Sequence, residues 1–408
     1  MQVAVLGAGL QGSCVAMELA SAGISVDLFD KNDRCMSQAS AQNEGKIHLG
    51  YLYANDRSLC TALAMAKGAS QFAPLMRRWI GDAVDRVPVS SAFHYVVHRE
   101  SLLTIAEVED HFRRAHALLV AESLQVPVDY FGSDYREPPV RLSDRECGAL
   151  FDRGRVAAAY RTAEIAIDPE PLAAAVRRRV AEDPGIRCRL NAHVHGVAVN
   201  GDNVGVDFEI CHGRGWEHYD HVVNALWDGR LAVDRTAGVH PHRSWLYRVK
   251  HYLRLRAPRA ASMVPSTTIV LGPFGDAVNY DDRDLYLSWY PAGMRGVSSE
   301  LSPPAWPLVL DEPSSLAMRE RIVDGLRAIV PGVGALTPET IEWWQVKGGI
   351  IFAWGCTDIR DRASGLHERH DIGPHSCGRY HTVDTGKLTT APLFGKLVAD
   401  RIVQAVLA

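Results

Sequence analysis

No run of apolar residues in this 408-residue chain reaches the ~20 needed to cross a bilayer; the longest are strand-sized. A basic surplus is also missing. With 44 Lys and Arg against 48 Asp and Glu the formal charge is −4, and no basic stripe interleaved with aromatics marks a nucleic-acid surface. The eight cysteines (14, 35, 60, 147, 188, 211, 356 and 377) contain no Cys-x-x-Cys pair, so a structural zinc site is not expected and the thiols read as reduced. No charged leader with a cleavage site precedes the first apolar segment, and neither internal repeats nor low-complexity stretches occur. These absences predict a soluble, cytoplasmic protein of ordinary globular composition, 47% hydrophobic and 23% charged. Its length exceeds the ~250–300 residues at which single cores stop growing, so two intimately connected domains are expected.

What is present starts at once. Val3-Ala4-Val5-Leu6-Gly7-Ala8-Gly9-Leu10-Gln11-Gly12 runs an apolar strand into a Gly-x-Gly-x-x-Gly turn. Helical spacing follows over 13–22, Gly23 stops it, and a second strand over 24–30 ends in Asp30 and Lys31. Each part has a task in gripping a dinucleotide. Gly7 permits the tight turn, Gly9 lets a pyrophosphate approach the backbone, and Gly12 lets helix and strand pack closely. Leu10 and Gln11 open the helix, whose N-terminus offers free N–H groups and a positive dipole end to phosphate. Asp30 sits where a carboxylate accepts hydrogen bonds from the adenosine ribose.

Residues 35–55 are rich in Ser, Ala, Asn and Gly and read as a loop lying against something. Helices are predicted over 57–80 (bent near Pro74), 105–124, 169–181, 311–329 and 392–407. Strands are predicted over 91–99, 187–191, 193–199, 221–225, 246–256, 267–272, 284–290 and 348–354. Residues 126–160 read as irregular, and the stretch from Pro169 to Ala225 as a second dinucleotide-type unit. Helical and β-rich portions interleave, so the domains are not expected to be contiguous in sequence.

Three further segments make the chain resemble the glycine oxidase and D-amino-acid oxidase-like family of FAD-dependent oxidoreductases. Ser40-Ala41-Gln42-Asn43-Glu44-Gly45-Lys46-Ile47-His48 is similar to the family's small-residue loop beside the flavin ring. Ile167-Asp168-Pro169 with Val222-Val223-Asn224-Ala225 is similar to its middle section, and Val383-Asp384-Thr385-Gly386-Lys387-Leu388-Thr389-Thr390-Ala391-Pro392 resembles the C-terminal segment that closes over the isoalloxazine. The string from Gly45 to Tyr53 also resembles a branch found in pathways that modify sugars and small natural products. Two departures stand out: Ala225-Leu226-Trp227-Asp228 lacks the glycine that often follows the central strand, and the Gly-Asp-Ala motif of the hydroxylase cousins is missing.

The resemblance implies an α/β fold: a Rossmann-like FAD-binding domain of glutathione-reductase type, interleaved with a smaller α+β substrate domain on an antiparallel or mixed sheet. It assigns 1–90, 155–240 and 345–408 to the first and 91–154 and 241–344 to the second. It implies non-covalent FAD held by Gly7, Gly9, Leu10, Gln11, Gly12, Asp30, Lys31, Ser40, Asn43, Glu44, Gly45, Lys46, position 195 (His195), Ala225, Trp227, Gly355, Asp384, Thr385, Gly386, Lys387, Leu388 and Thr389. Some relatives attach the flavin through a cysteine near Cys356. The implied reaction is hydride loss from a C–H beside an amine or hydroxyl to flavin N5, the amine being the leading reading, with O2 or another acceptor reoxidising the cofactor.

Lys387 is the expected cation near flavin N1 and O2, with Thr385, Thr389 and Thr390 as capping hydroxyls. Lys46 and His48, alternate positions on one face of an extended segment, are candidates to face a polar or anionic small molecule. Tyr51 and Tyr53 continue that alternation; Arg248, Lys250 and Trp289 belong to the sheet that would roof the substrate. The polar stretch 364–371 reads as a loop near the flavin rather than a metal site, and no metal is expected. Three alternatives stay open: oxidation of a C–OH bond, which needs a base and raises the importance of His48; a flavin-dependent isomerase; and an NAD-binding dehydrogenase or dinucleotide sensor.

Overall fold

The computed structural model describes residues 1–211 and 213–407; positions 212 and 408, inside the stretches expected to bind cofactor, lie outside that description. Val3, Ala4, Val5 and Leu6 are completely buried, as in a strand covered on both faces. They lie within a six-stranded sheet ordered Gly373–Cys377, Tyr380–Asp384, His221–Asn224, Gln2–Leu6, Ser25–Phe29, Ile186–Arg189, parallel except at its first edge. The helix Leu10–Ser21 packs on Pro169–Glu182 and on the final helix Ala391–Leu407.

The stretch read as a second dinucleotide-type unit is not one. Ile186–Arg189 merely extends the edge of the first sheet, and His193–Asn200, Asn203–Ile210 and Gly213–Tyr219 form a three-stranded antiparallel sheet. Strands joined by connections as short as the one at Gly201 (φ +52°) can only pair as hairpins, since parallel pairing needs a long crossover. The stretch 126–160 is also more regular than its prolines suggest. It holds the helix Asp144–Leu150, started by a Ser143/Glu146 capping box, and the strands Val140–Arg141 and Val156–Arg161.

A nine-stranded mixed sheet runs Met294–Ser298, Trp245–Arg256, Asp284–Trp289, Gly275–Tyr280, Thr267–Val270, His94–His98, Val156–Arg161, Val140–Arg141, with Trp343–Trp354 along Trp245–Arg256. Val156–Arg161 therefore pairs with His94–His98 and Trp343–Trp354 with Trp245–Arg256, across the boundaries of the sequence division, which gives all or most of each first-named strand to the other domain. Along Trp245–Arg256 the faces alternate: Leu253 and Leu255 bury against Met318, Ile322 and Leu326 of the helix Glu312–Arg327, while Arg248, Lys250 and Tyr252 face a cavity.

One helix positions the closing segment. Cys60–Ile80 begins after Asp56, whose carboxylate accepts from the Ser58 and Thr61 N–H groups. Midway along it Gly68 lies so close to the 389 backbone that a Cβ there would stand 2.9 Å from the Thr389 carbonyl oxygen.

Candidate functional site

The first helix is entered through Gly7, whose φ of +96° suits glycine and whose N–H donates to Phe29 O (2.8 Å). A Cβ on Gly12 would overlap the Gly7 carbonyl oxygen, so Gly12 is what allows strand and helix to close up. Gly9 is the N-cap, with no side-chain cap of its own. The Leu10 N–H donates to Ser40 Oγ (2.8 Å), and both amide atoms of Gln11 are buried without a partner. Asp30 ends the second strand, accepting from the Ala8 N–H (2.8 Å) and from Asn32.

Two cavities adjoin here. A smaller one of about 70 Å³ is lined by Gly7, Gly9, Asp30, Lys31, Ala225, Trp227 and Asp228, with Lys31 and Asp228 paired at 2.8 Å. A larger one of about 280 Å³ shares Gly9, Ser40, Ala225 and Trp227 with it. It continues past Leu10, Gln11, Asn43, Glu44, Lys46, His48 and Tyr53 to Thr385, Gly386, Lys387 and Leu388, and reaches Arg248, Lys250, Tyr290 and Arg369.

The closing segment leaves Tyr380–Asp384 through Gly386 (φ +65°) and enters the turn Leu388–Thr390 before the final helix. The threonine hydroxyls do not cap N–H groups of that helix. Thr390 Oγ1 donates to Thr385 O and Lys387 O, while Thr389 Oγ1 accepts from the His48 N–H (2.9 Å), tying the segment to the 46–48 strand.

The ionisable groups form one coupled set. Burial pushes the Glu44 carboxyl up, but Lys387, Lys250 and Lys46 outweigh it and hold it at about 2, so Glu44 is anionic. Burial brings Lys387 down to about 8, against the pull of Glu44 and with the help of Arg369 and Lys250. Lys46, 2% exposed, contacts Thr268 Oγ1, pairs with Asp276 (3.0 Å) and sits over the Phe93 ring at 4.4 Å. Burial opposes its charge, but Asp276, Glu164 and Glu44 prevail and raise its pKa. His48 is driven well below the usual imidazole range by burial, then by Lys387 and Lys46. It is therefore neutral, and its Nδ1 is buried without a partner.

Several expected residues lie elsewhere. His195 is an exposed partner of Glu209 (3.0 Å) on the antiparallel sheet, because the segment forms a hairpin instead of a dinucleotide unit. Tyr51 is core, packed edge-on against Tyr95 and Phe112, because the chain turns into a 3-10 helix after Gly50 and breaks the alternation. Trp289 packs on Phe274 and Gly325 behind the sheet, leaving Tyr290 to face the cavity. Asp384 is spent on Arg230 (3.2 Å) and Trp354 Nε1 (2.7 Å). Gly45 and Gly355 lie outside the cavity walls: both have positive φ, and a Cβ would crowd Ile167 or Leu366. Cys356 is exposed. Sequence reasoning missed Asp276, Tyr252, Tyr286 and Arg369 as cavity residues. The strand alternation carried a signal for the tyrosines, but nothing set Arg369 apart within its polar loop.

A glycine-built turn at a helix start, opening onto a charged cavity under a mixed sheet, is the arrangement of a dinucleotide-dependent enzyme. The chain belongs to the DAO family, described as FAD dependent oxidoreductase, which it matches over residues 2–401. None of the curated proteins matches it closely enough to count as a relative. Among solved structures it is similar to glycine oxidase from Geobacillus kaustophilus (17% identity, TM-score 0.69, covering 98% of this chain and 94% of that one). It is also similar to L-proline dehydrogenase from P. horikoshii (14%, 0.68, 99% and 93%) and to L-α-glycerophosphate oxidase from Mycoplasma pneumoniae with FAD bound (14%, 0.61, 99% and 94%). At such identities the likeness is one of fold. The residues present fit FAD: the crowded glycine turn, the helix start at Gly9 and the orphaned Gln11 amide lie along one pair of adjoining cavities.

Proposed function

We propose that this protein uses non-covalently held FAD to oxidise the C–N bond of a small amine, amino acid or amino-sugar-like metabolite. In this reading Gly7 to Gly12 hold the pyrophosphate, Asp30 and Lys31 flank the adenosine, and Ser40 to Lys46, Trp227 and residues 385–388 surround the ring. The six-stranded sheet carries the cofactor unit and the nine-stranded sheet the substrate unit. Bound FAD supplies the acceptor for the hydride lost from the carbon beside nitrogen.

The rest falls to the protein's own groups. Lys387 holds a positive charge at the closing segment, where it would favour the more negative form of a bound flavin ring. Glu44, kept anionic by three lysines, accepts N–H from the substrate amine and orients it. The Glu44 carboxyl group on the wall of the cavity that Lys46, Lys250 and Lys387 also line is the observation that carries the reading. A neutral amine needs no strong base, because its own lone pair expels the hydride. Tyr252 and Tyr286, stacked with ring centres 4.6 Å apart, keep water from the roof. Cys356, exposed and off the cavity wall, supports attachment without a covalent link. The names of glycine oxidase and proline dehydrogenase point the same way.

A second reading, C–OH oxidation, is favoured by neutral His48 with its unpartnered Nδ1, a base a hydroxyl substrate would need, and by the name of glycerophosphate oxidase. The test is anaerobic mixing of the flavin-loaded protein with panels of amines and hydroxy acids, following bleaching near ~450 nm. Amines should bleach it, and His48→Gln should change that rate less than about threefold. Bleaching by hydroxy compounds alone, lost by the ~10²–10⁴ of general base catalysis in His48→Gln, would reverse the assignment.

A further inference from the structure

Three arginines among the described residues are nine-tenths buried: Arg230, Arg248 and Arg369. Arg230 is neutralised in the ordinary way, by Asp234 (3.3 Å) and Asp384 (3.2 Å). The other two have no carboxylate of the described residues within 4.0 Å. Arg248, 5% exposed, gives one N–H to Tyr290 Oη (2.8 Å), and its Nε is buried without a partner. Arg369, 8% exposed, gives one N–H to Phe352 O (2.9 Å). Each guanidinium has five N–H donors, so most of both forks point at no protein acceptor. Burial and then the Arg248 charge bring Arg369 down to about 10, so the two cations face each other's field. Leaving buried charge unpaired is costly, and a cavity wall is where a ligand removes that cost. Tyr290 adds to the site. Its oxygen accepts from Arg248, which frees its own proton for donation.

We propose that Arg248, Arg369 and the Tyr290 hydroxyl form a receptor for a dianionic phosphoryl group, so that the substrate is a phosphate monoester or phosphonate. A lone carboxylate satisfies one guanidinium fork with its two oxygens and one charge. A phosphoryl group brings three acceptor oxygens and nearly two charges, which matches two forks and a hydroxyl. The charge on the cavity walls agrees. Lys46, Lys250, Lys387, Arg248 and Arg369 face Glu44 and Asp276, an excess of three positive charges, of which Lys387 serves the ring. Arg248 lies two residues before Lys250 on one strand, about 6.6 Å further along the cavity. The anion is therefore held at one end and the reacting carbon near Lys387 and Glu44. The location of the reacting carbon rests on the proposed amine oxidation; the anion site itself does not.

The test uses flavin-loaded protein and two probes, methyl phosphate and acetate, titrated by calorimetry at about pH 8, where a phosphate monoester is dianionic. Methyl phosphate should bind at least about tenfold more tightly than acetate. Arg369→Gln and Arg248→Gln should each abolish that preference, and Arg369→Lys, which keeps the charge but loses the fork, should recover part of it. Tyr290→Phe removes one donor without disturbing the charge and should weaken methyl phosphate about three- to tenfold; it serves if an arginine variant loses its flavin or unfolds. Equal binding of the two probes, or methyl phosphate affinity unchanged in Arg369→Gln or Tyr290→Phe, overturns the proposal. If methyl phosphate binds as expected but only phosphorylated alcohols bleach the flavin, the anion site stands and the amine reading falls.

Discussion

The two ends of the binding channel are made of different material. From Gly7 to Asp30 the surface is mostly backbone: a turn at positive φ, a helix started by a glycine and a crowded glycine contact. From Glu44 to Arg369 it is side-chain charge, assembled from segments 46–48, 248–252, 268–276 and 385–388. A backbone site fails when a side chain intrudes. A charge site tolerates added atoms better but fails when one member of a coupled set is removed.

The largest effect should come at the backbone end. Gly12→Ala places a methyl group on the Gly7 carbonyl and should cost ~3 kcal/mol or more, with loss of soluble, flavin-bearing protein. Gly9→Ala meets only the Ser40 hydroxyl, 3.0 Å away. That variant should fold with little change in melting temperature yet retain much less flavin, read from the ratio of absorbance near ~450 nm to protein absorbance. Gly9→Ala retaining flavin in full would show that the pyrophosphate does not pass over this turn.

At the charge end the expected loss is comparable or slightly smaller. Lys46→Met strands Asp276 beside Thr268, and breaking a buried pair costs ~3 kcal/mol. Urea unfolding should show that loss, and Lys46→Met/Asp276→Leu should recover most of it. A double variant no more stable than the single one would mean that Lys46 acts through packing on Phe93 rather than through the pair.

The same division explains what was legible in the sequence. Gly7, Gly9, Gly12 and Asp30 are legible as a turn and a strand end because a local βαβ unit fixes their placement within thirty residues. The alternation of Arg248 and Lys250 is local too, and it brings both to the cavity. Arg369 is not legible: a loop anchored by Thr61 and Phe352 delivers it, and neither anchor is near it in sequence. Trp289 lies behind the sheet for a related reason. Period-two alternation tells which residues share a face but not which face is buried against what.

In the proposed arrangement the flavin ring lies beneath residues 385–388 with the Lys387 ammonium beside it. Its most direct test is the two-electron midpoint potential of the bound FAD in the native protein and in Lys387→Met. A nearby cation favours the reduced, more negative ring, so its loss should lower the potential by roughly 30 mV or more, equivalent to ~1.4 kcal/mol for a two-electron couple. Because burial sets Lys387 near 8, the ammonium is present below that pH and lost above it. The gap between the two proteins should therefore shrink as pH rises through about 8. Equal potentials at every pH, in variants that still bind FAD stoichiometrically, would contradict the account.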